Sequence, residues 1–308
     1  MPTRNEIQHE IINAKTAAQD AVRRKYVREL SKYTGRDTII YITAYATNKM
    51  ATTPSQAVSV MLDDVQSFMT TLKGLKNDEL DLVIHSPGGS VEAAEQLVNY
   101  LRAKYKHIRA IIPHSAMSAA TMLACACDEI IMGKHSAIGP IDPQITFPTA
   151  TGYFTAPAQS LLSEFEQAKA EVIANPNVAP IWISKLKNLP HGILDICRNT
   201  TQLSIEKVSL WLRSYMFKDD PDGETKANDI AEWLGTASNH LTHGRPIPYN
   251  IARDKGLKII ELESDQNLQE KVLSVFHSSI VTIDVTPCVK IIENQNGVGS
   301  YTTCEKPS

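Results

Sequence analysis

Hydrophobic positions alternate between two spacings over the first half of the chain. Short apolar runs rich in β-branched residues predict strands, and apolar residues three or four positions apart predict helices. The predicted strands cover 38–45, 80–85, 108–113 and 129–132, and the predicted helices 58–72, 91–101 and 118–127. Strands that alternate with helices favour right-handed βαβ crossovers, so this half predicts an α/β fold with a largely parallel, buried sheet.

The second half of the chain is mostly helical in pattern. Helices are predicted over 158–174, 193–217, 224–238 and 266–277, and strands over 258–262, 280–285 and 289–292. At the other end, apolar residues from Ile7 to Val22 recur at helical spacing and predict a helix over 5–33 that stands apart from the core.

These patterns divide the chain into three parts. Residues 1–36 are expected to form an N-terminal helical arm, and residues 37–262 the α/β domain. Within that domain, 158–240 is a mainly helical insertion or interface region, and 263–308 supplies a C-terminal helix and strands.

Composition narrows the possible functions. The 308 residues carry a net charge of -3, so no basic field points to nucleic acid. No run of 18 apolar residues appears and the N-terminus lacks the apolar core of a signal peptide, which favours a cytoplasmic protein. A basic cluster at Arg23, Arg24, Lys25 and Arg28 gives weak support for peripheral membrane contact. Five cysteines without a regular framework predict free thiols, and no metal or cofactor is expected.

The first candidate for chemistry is the turn Ser86-Pro87-Gly88-Gly89-Ser90 between a predicted strand and helix. Ligands bind at this end of the strands in open α/β sheets. Glycine allows positive φ and close backbone approach, so an N–H of this turn can point at an oxyanion.

The second candidate is Ser118, at the start of a helix of small residues. A serine there is most often only a helix cap. Small residues after it let a substrate approach, and the Ala119 N–H can stabilise negative charge beside the hydroxyl.

Three ordered segments resemble the Clp-fold serine peptidases, and most closely the serine dehydrogenase proteinase (SDH) family. They are HSPGGSVEAAEQL, SAMSAATMLACACDEIIM and AIGPIDPQ, within residues 80–144. The resemblance implies a Clp/crotonase-like fold, a polypeptide substrate and homo-oligomerisation. It places the nucleophile at Ser118, the oxyanion-hole N–H groups at Gly89 and Ala119, and a turn-shaping role at Gly88.

The resemblance leaves open which residue accepts the proton of Ser118. Clp protease has a histidine where this chain reads Ile141-Asp142-Pro143-Gln144. Relatives such as signal peptide peptidase A use a lysine, which makes Lys169 the candidate here, although the family's position corresponds to Ser163. Lys185, Lys187 and a residue of another subunit stay open as bases, whereas His240 and His243 are expected to be structural or to lie in a substrate loop.

The sequence therefore predicts a serine endopeptidase with a two-amide oxyanion hole and a Ser/Lys dyad. The absence of the histidine and the displaced lysine keep a second hypothesis open, a catalytically inactive Clp-fold scaffold or partner-binding subunit. A third is a crotonase-like acyl-CoA enzyme, which shares the two N–H groups but needs no serine.

Overall fold

The computed structural model describes residues 4, 6, 7, 18–149 and 152–304, so most of the predicted arm before residue 18 lies outside the described residues. The strands are β1 (Asp37–Thr43), β2 (Glu79–His85), β3 (His107–Ile112), β4 (Ser115–Ala116), β5 (Glu129–Met132), β6 (Ala137–Ile138), β7 (Gln144–Thr149), β8 (Gly152–Pro157), β9 (Ile247–Pro248), β10 (Ile259–Glu261), β11 (Cys288–Asn294) and β12 (Gly299–Thr303). The α-helices are α1 (Ala18–Thr34), α2 (Ser55–Val58), α3 (Asp64–Thr71), α4 (Val91–Lys104), α5 (Ala119–Cys125), α6 (Ala158–Ala174), α7 (Ala179–Leu186), α8 (Ile193–Trp211), α9 (Gly223–Gly235), α10 (Ala237–His240), α11 (Tyr249–Asp254) and α12 (Gln266–Val285).

A seven-stranded sheet runs through the molecule in the order β10-β5-β3-β2-β1-β11-β12. The five strands from β10 to β1 are parallel, and β11 and β12 extend the sheet in antiparallel fashion. The predicted α/β fold class with a largely parallel sheet is confirmed. Because parallel strands need crossover helices, both faces of the sheet are covered.

Strand β1 shows how its sequence builds two cores. Successive side chains point to opposite faces of a strand. Ile39 and Tyr41 join the layer formed with α3, α4, α5, α8 and α9, whereas Ile40 and Ile42 join the layer formed with α1 and α12. A run of apolar residues is therefore buried throughout.

Two smaller sheets lie beside the central one. Strands β7 and β8 form an antiparallel hairpin that packs with α6 and α8 through Phe147, Leu161 and Ile193. Strand β6 pairs in parallel with β4 and antiparallel with β9, which gives the order β4-β6-β9. This second sheet, called the small sheet below, joins segments that are far apart in sequence.

In the described residues, the N-terminal helix packs on the domain and does not form a separate arm. Val27 and Leu30 of α1 are fully buried against the sheet and α12. Arg23 of the basic cluster is also buried and bonds Glu293 at 2.8 Å, and Arg24 bonds the same carboxylate at 2.6 Å. These two cations therefore neutralise an internal acid and do not form an open basic surface.

Two sequence predictions fail locally. The strand predicted over 280–285 is wrong, because these residues form the last turns of α12. Their β-branched side chains favour a strand locally, but Val281 and Ile283 are buried as part of the helix, and tertiary packing overrides propensity. The helix predicted over 58–72 is broken into α2 and α3 by residues 59–63. Among the described residues, no helix has the length and apolar character that crossing a membrane requires.

Candidate active site

The glycine turn lies between two other segments of backbone. On one side, the Ser86 N–H donates to the Ser115 carbonyl and the Met117 N–H donates to the Ser86 carbonyl, both at 3.0 Å. On the other side, the Val60 N–H donates to the Gly88 carbonyl at 2.7 Å and the Ser90 N–H donates to the Val60 carbonyl at 2.9 Å. The turn is thereby fixed at the carboxyl end of β2, beside the segment that carries Ser118.

Both glycines of the turn are required by their surroundings. Gly88 has a φ of +97°, and a Cβ on it would lie 2.6 Å from the Ser118 Cβ and 2.8 Å from the Ala119 nitrogen. Gly89 has a φ of +155°, and a Cβ on it would lie 2.3 Å from the Val60 oxygen. Only residues without a side chain let these backbones approach so closely. The structure thus brings the predicted turn and the predicted nucleophile into direct contact.

Ser118 sits on a sharp turn between β4 and α5. Its φ of 51° and ψ of -121° are rare for a residue with a side chain. The serine of a nucleophile elbow occupies the same kind of strained strand-to-helix turn, which exposes its hydroxyl. Ser118 is partly exposed while all of α5 behind it is buried. The expected cap role is absent, because the Ser118 side chain makes no capping hydrogen bond.

Three polar groups meet at this turn without partners. Over the described ranges 18–149 and 152–304, the Ser118 hydroxyl, the Gly89 N–H and the Ala119 N–H make no hydrogen bond within the chain. A strained hydroxyl beside two free N–H groups is what attack on a carbonyl needs, since the tetrahedral oxyanion takes up both donors.

The loop that holds Gly89 is anchored by a buried ion pair that the sequence did not reveal. Lys290 on β11 donates to Asp64 at 2.8 Å and to the Ser59 carbonyl at 2.7 Å. The Tyr41 hydroxyl donates to the same carboxylate at 2.7 Å, and burial, followed by Asp64, raises the pKa of Tyr41 well above its usual value. Lys290 is 226 positions from Asp64, so no local pattern connects them.

The candidate lysines do not contact the Ser118 hydroxyl. Lys169 is 57 % exposed on α6 and donates to Glu166 at 2.8 Å. Lys185 is 56 % exposed, pairs with Glu164 and lies over the Trp182 ring, and Lys187 is exposed at the end of α7. Ser163, which the resemblance matched to the family's lysine, borders a cavity of about 730 Å³ between α6 and the 236–243 segment.

The same cavity is bordered by a pair that sequence reasoning did not connect. His243 and Asp142 are 2.9 Å apart, Nδ1 to Oδ1, and the Asp142 side chain is 2 % exposed. The other Asp142 oxygen accepts from Gln144 Nε2 at 2.8 Å. The partners are 101 positions apart, and the one available signal was that Asp142 replaces the histidine of Clp protease.

His240, His135 and the two cysteines of the segment after Ser118 have structural surroundings. His240 is buried and its Nε2 bonds the Trp233 carbonyl at 2.8 Å, and burial lowers its pKa. His135 Nε2 bonds the Pro113 carbonyl at 3.0 Å. Cys125 and Cys127 are free and buried, as expected, and burial raises the pKa of both thiols.

Comparison with known proteins agrees with the resemblance seen in the sequence. The family model described as ClpP-like SDH-type serine proteinase matches residues 11–292. Two uncharacterized proteins of Methanocaldococcus jannaschii are each 28% identical to the chain, one over 222 residues (70% of this chain and 64% of the relative), the other over 203 residues (65% and 59%). The matched region thus spans less than two thirds of either relative.

Two solved structures are also similar. One is a serine-to-alanine mutant of the 1510-N membrane-bound stomatin-specific protease, with a TM-score of 0.39, 14% identity, and coverage of 69% of this chain and 79% of that one. The other is a mutant of ClpP1 from Listeria monocytogenes, with a TM-score of 0.30, 13% identity, and coverage of 70% and 96%. Because the family model extends over more than half of the sequence, the chain belongs to the ClpP-like SDH-type serine proteinase family.

Proposed function

We propose that this protein is a serine endopeptidase whose nucleophile is Ser118. The observation that carries the proposal is the contact of Gly88 with Ser118 and Ala119, where a Cβ would lie within 2.8 Å of both residues. In the described ranges the Ser118 hydroxyl and the Gly89 and Ala119 N–H groups make no hydrogen bond, which leaves them free for a substrate carbonyl. Membership in a family of serine proteinases supports a serine protease function in general.

The proposed reaction follows from these groups. The Ser118 oxygen bonds to the carbonyl carbon of a peptide while its proton passes to a base, and the Gly89 and Ala119 N–H groups hold the oxyanion. The C–N bond then breaks, the amine leaves with the proton from the base, and an acyl ester remains on Ser118. Water, deprotonated by the same base, releases the acid and restores the hydroxyl.

In the Ser/Lys form of this proposal, Lys169 is the base. Its ammonium would have to leave Glu166 and lose a proton, which an apolar setting favours. Such a setting is at hand, because Lys169 borders an apolar groove with Val172, Trp182 and Leu186. A neighbouring subunit packed on this groove would desolvate the lysine and could carry it to the serine of a second copy.

A labelling experiment tests the function. The purified chain is treated with a fluorophosphonate probe and with an unstructured protein substrate, beside Ser118→Ala and the neighbouring control Ser115→Ala. We expect labelling and cleavage in the parent and in Ser115→Ala, and neither in Ser118→Ala. Labelling that survives in Ser118→Ala would refute the assignment of the nucleophile.

A second function is favoured by one observation, the lack of a proton acceptor on the Ser118 hydroxyl over 18–149 and 152–304. A scaffold or partner-binding subunit with this fold would need no base. It predicts no labelling of the parent chain at any pH or concentration, with the protein folded by circular dichroism.

We further propose that the protein is a homo-oligomer that packs through α6 and α7. Ile173, Ile181 and Ile183 on these helices are 77 %, 68 % and 65 % exposed, which is unusual for large apolar side chains. Ile173→Glu and Ile183→Glu should lower the mass measured by light scattering, whereas Val285→Glu, at an exposed apolar position on α12, should not. An unchanged mass in both charged variants would place the interface elsewhere.

A further inference from the structure

A second cavity lies at the carboxyl ends of three neighbouring strands. It has a volume of about 580 Å³ and is lined by Tyr45, which follows β1, His85, which ends β2, and His114, which follows β3. These strands are parallel and adjacent in the central sheet. Open α/β sheets bind ligands in the crevice outside the carboxyl ends of their strands, so the position of this cavity favours a binding site.

The cavity and the Ser118 turn lie on opposite faces of the sheet. Along β2, Ile84 belongs to the core layer with α4 and α5, and Val83 to the layer with α1 and α12. Side chains alternate between the faces, so the His85 ring lies on the α12 side, where it contacts Phe276. A molecule in this cavity would therefore be separated from the candidate nucleophile by the strands themselves.

Four rings form a wall of this cavity, which is called the ring pocket below. The Phe276 centroid lies 5.1 Å from that of His85 and 5.9 Å from that of His114, and the Tyr45 centroid lies 5.7 Å from that of His85. The His85 nitrogens are both occupied, Nε2 by the Tyr45 carbonyl at 2.8 Å and Nδ1 by the Ser115 N–H of the small sheet at 3.3 Å. Flat aromatic walls suit a ligand with an apolar or aromatic body.

Two polar side chains of the ring pocket have no partner within the described residues. The Tyr45 hydroxyl and the His114 ring nitrogens make no hydrogen bond there. Burial lowers the pKa of His114 and raises that of Tyr45, so both side chains are neutral near pH 7. A phenol donates a hydrogen bond, and a neutral imidazole donates one and accepts one. Both groups can therefore bond an oxygen atom of a ligand.

The charges at the ring pocket favour an anion. Among the described residues that line it, Arg4 and Lys49 are cationic and Asp284 is the one carboxylate, which pairs with Arg4. The Lys49 ammonium donates to the Thr286 carbonyl and, at 3.2 Å, to the Cys288 carbonyl, but it forms no ion pair with a described residue. One positive charge is thus left over, and a carboxylate of the ligand would neutralise it.

We propose that the ring pocket is a second binding site, for a carboxylate carried on an aromatic or branched apolar body. The carboxylate lies toward Lys49 and the Tyr45 hydroxyl, and the body packs on Phe276 and Ile280. The volume of the pocket falls within the range of about 300–1,000 Å³ that is typical of ligand sites. A peptide with an apolar C-terminal residue has this chemistry, and so does a free aromatic acid.

Isothermal titration calorimetry on the full chain tests the site. The probes are N-acetylphenylalanine and a short peptide that ends in phenylalanine, each as the free acid and as the amide. Ser118→Ala is used for the peptides, so that hydrolysis contributes no heat. We expect saturable binding of the acids and about 10-fold or more weaker binding of the amides, because an amide lacks the charge that Lys49 meets.

Variants of the lining residues locate the binding. Phe276→Ala removes part of the wall, and Lys49→Gln removes the positive charge while it can still donate to the Thr286 carbonyl. Each should weaken the binding of N-acetylphenylalanine about 10-fold, and Lys49→Gln should leave the binding of the amide unchanged. The matched controls Phe154→Ala on β8 and Lys187→Gln at the end of α7 should bind as the parent does.

Phe276→Leu covers the case in which Phe276→Ala does not fold by circular dichroism. It keeps an apolar side chain in α12 but removes the ring, and it should also weaken the binding of the acid.

The outcomes decide the site and its ligand. Equal binding of the two acids shows that a small aromatic acid is sufficient, whereas tighter binding of the peptide identifies a peptide C-terminus. The proposal is overturned if no probe binds the folded parent at millimolar concentration or if acids and amides bind equally. It is also overturned if folded Phe276 and Lys49 variants bind as the parent does. Since none of these results depends on labelling of Ser118, the proposed peptidase function stands or falls separately.

Discussion

His85 is a buried histidine whose ring bonds the strand that leads to the candidate nucleophile Ser118. It ends β2 and is 1% exposed. Its Nε2 lies 2.8 Å from the Tyr45 carbonyl, which only accepts, so Nε2 carries the proton. Nδ1 then accepts from the Ser115 N–H at 3.3 Å, on the strand that leads to Ser118. Burial lowers the pKa of His85 from 6.5 to about 4, so the folded protein holds it neutral.

The sign and size of the effect on stability follow from this pKa. In the unfolded chain His85 takes up a proton near pH 6.5, whereas in the folded chain it does so only near pH 4. The unfolded state therefore binds more protons between these values, and the free energy of unfolding decreases as the pH falls. The gap of about 2.5 pH units corresponds to roughly 3 kcal/mol in full, of which about 2 kcal/mol is lost by pH 5.

Urea denaturation followed by tryptophan fluorescence at pH 8 and pH 5 measures this effect. The comparison variant is His85→Gln, which can donate to the Tyr45 carbonyl but does not titrate. His114 and His240, whose pKa values burial also lowers, are present in both proteins and cancel in the difference. The parent should lose about 2 kcal/mol more than the variant between the two pH values. Equal losses would refute the idea that His85 is held neutral.

Three other changes test the architecture of the site. Gly88→Ala should destabilise the fold by roughly 2–4 kcal/mol and abolish probe labelling, because a positive φ and a clash with Ser118 act together. The control is Gly74→Ala, at a φ of +80° with open space, which should cost about 1 kcal/mol and keep labelling. Lys290→Met leaves the Asp64 charge buried and should cost about 3–5 kcal/mol in urea denaturation, and a loss under 1 kcal/mol, the range expected for an exposed pair, would contradict this. Ser118→Gly should be more stable than Ser118→Ala by about 1 kcal/mol, because glycine relieves the strain of the turn, and it should therefore have the higher melting temperature. An equal or lower melting temperature would show that the turn is not strained.

The parallel half of the fold was predictable from local patterns. The strand at 129–132 and the helix at 158–174 match the structure residue for residue, because short apolar runs and helical stripes report burial directly. The contact between the glycine turn and Ser118 was also expected, since consecutive parallel strands end at one edge of a sheet.

The remaining features of the fold and the site depend on contacts between residues that are far apart in sequence. Val60 pairs with Gly89 and splits a helix that its own pattern supports. Asp142 and His243 meet only because β9 joins β6, and two-residue strands leave almost no signal in a sequence. No local pattern therefore pointed to the contact between His243 and Asp142, and Lys169 was favoured for apolar neighbours that line a surface groove.

Lys290, which anchors the loop beside the glycine turn, is synthesised after the residues of that turn. The Ser118 hydroxyl and both amide donors emerge from the ribosome before the ammonium that holds the 59–64 loop against Gly89. In a growing polypeptide that has not yet added β11 to the edge of β1, the glycine turn should be poorly ordered. The arrangement of Gly89 beside Ser118 would then be complete only once β11 has joined the sheet.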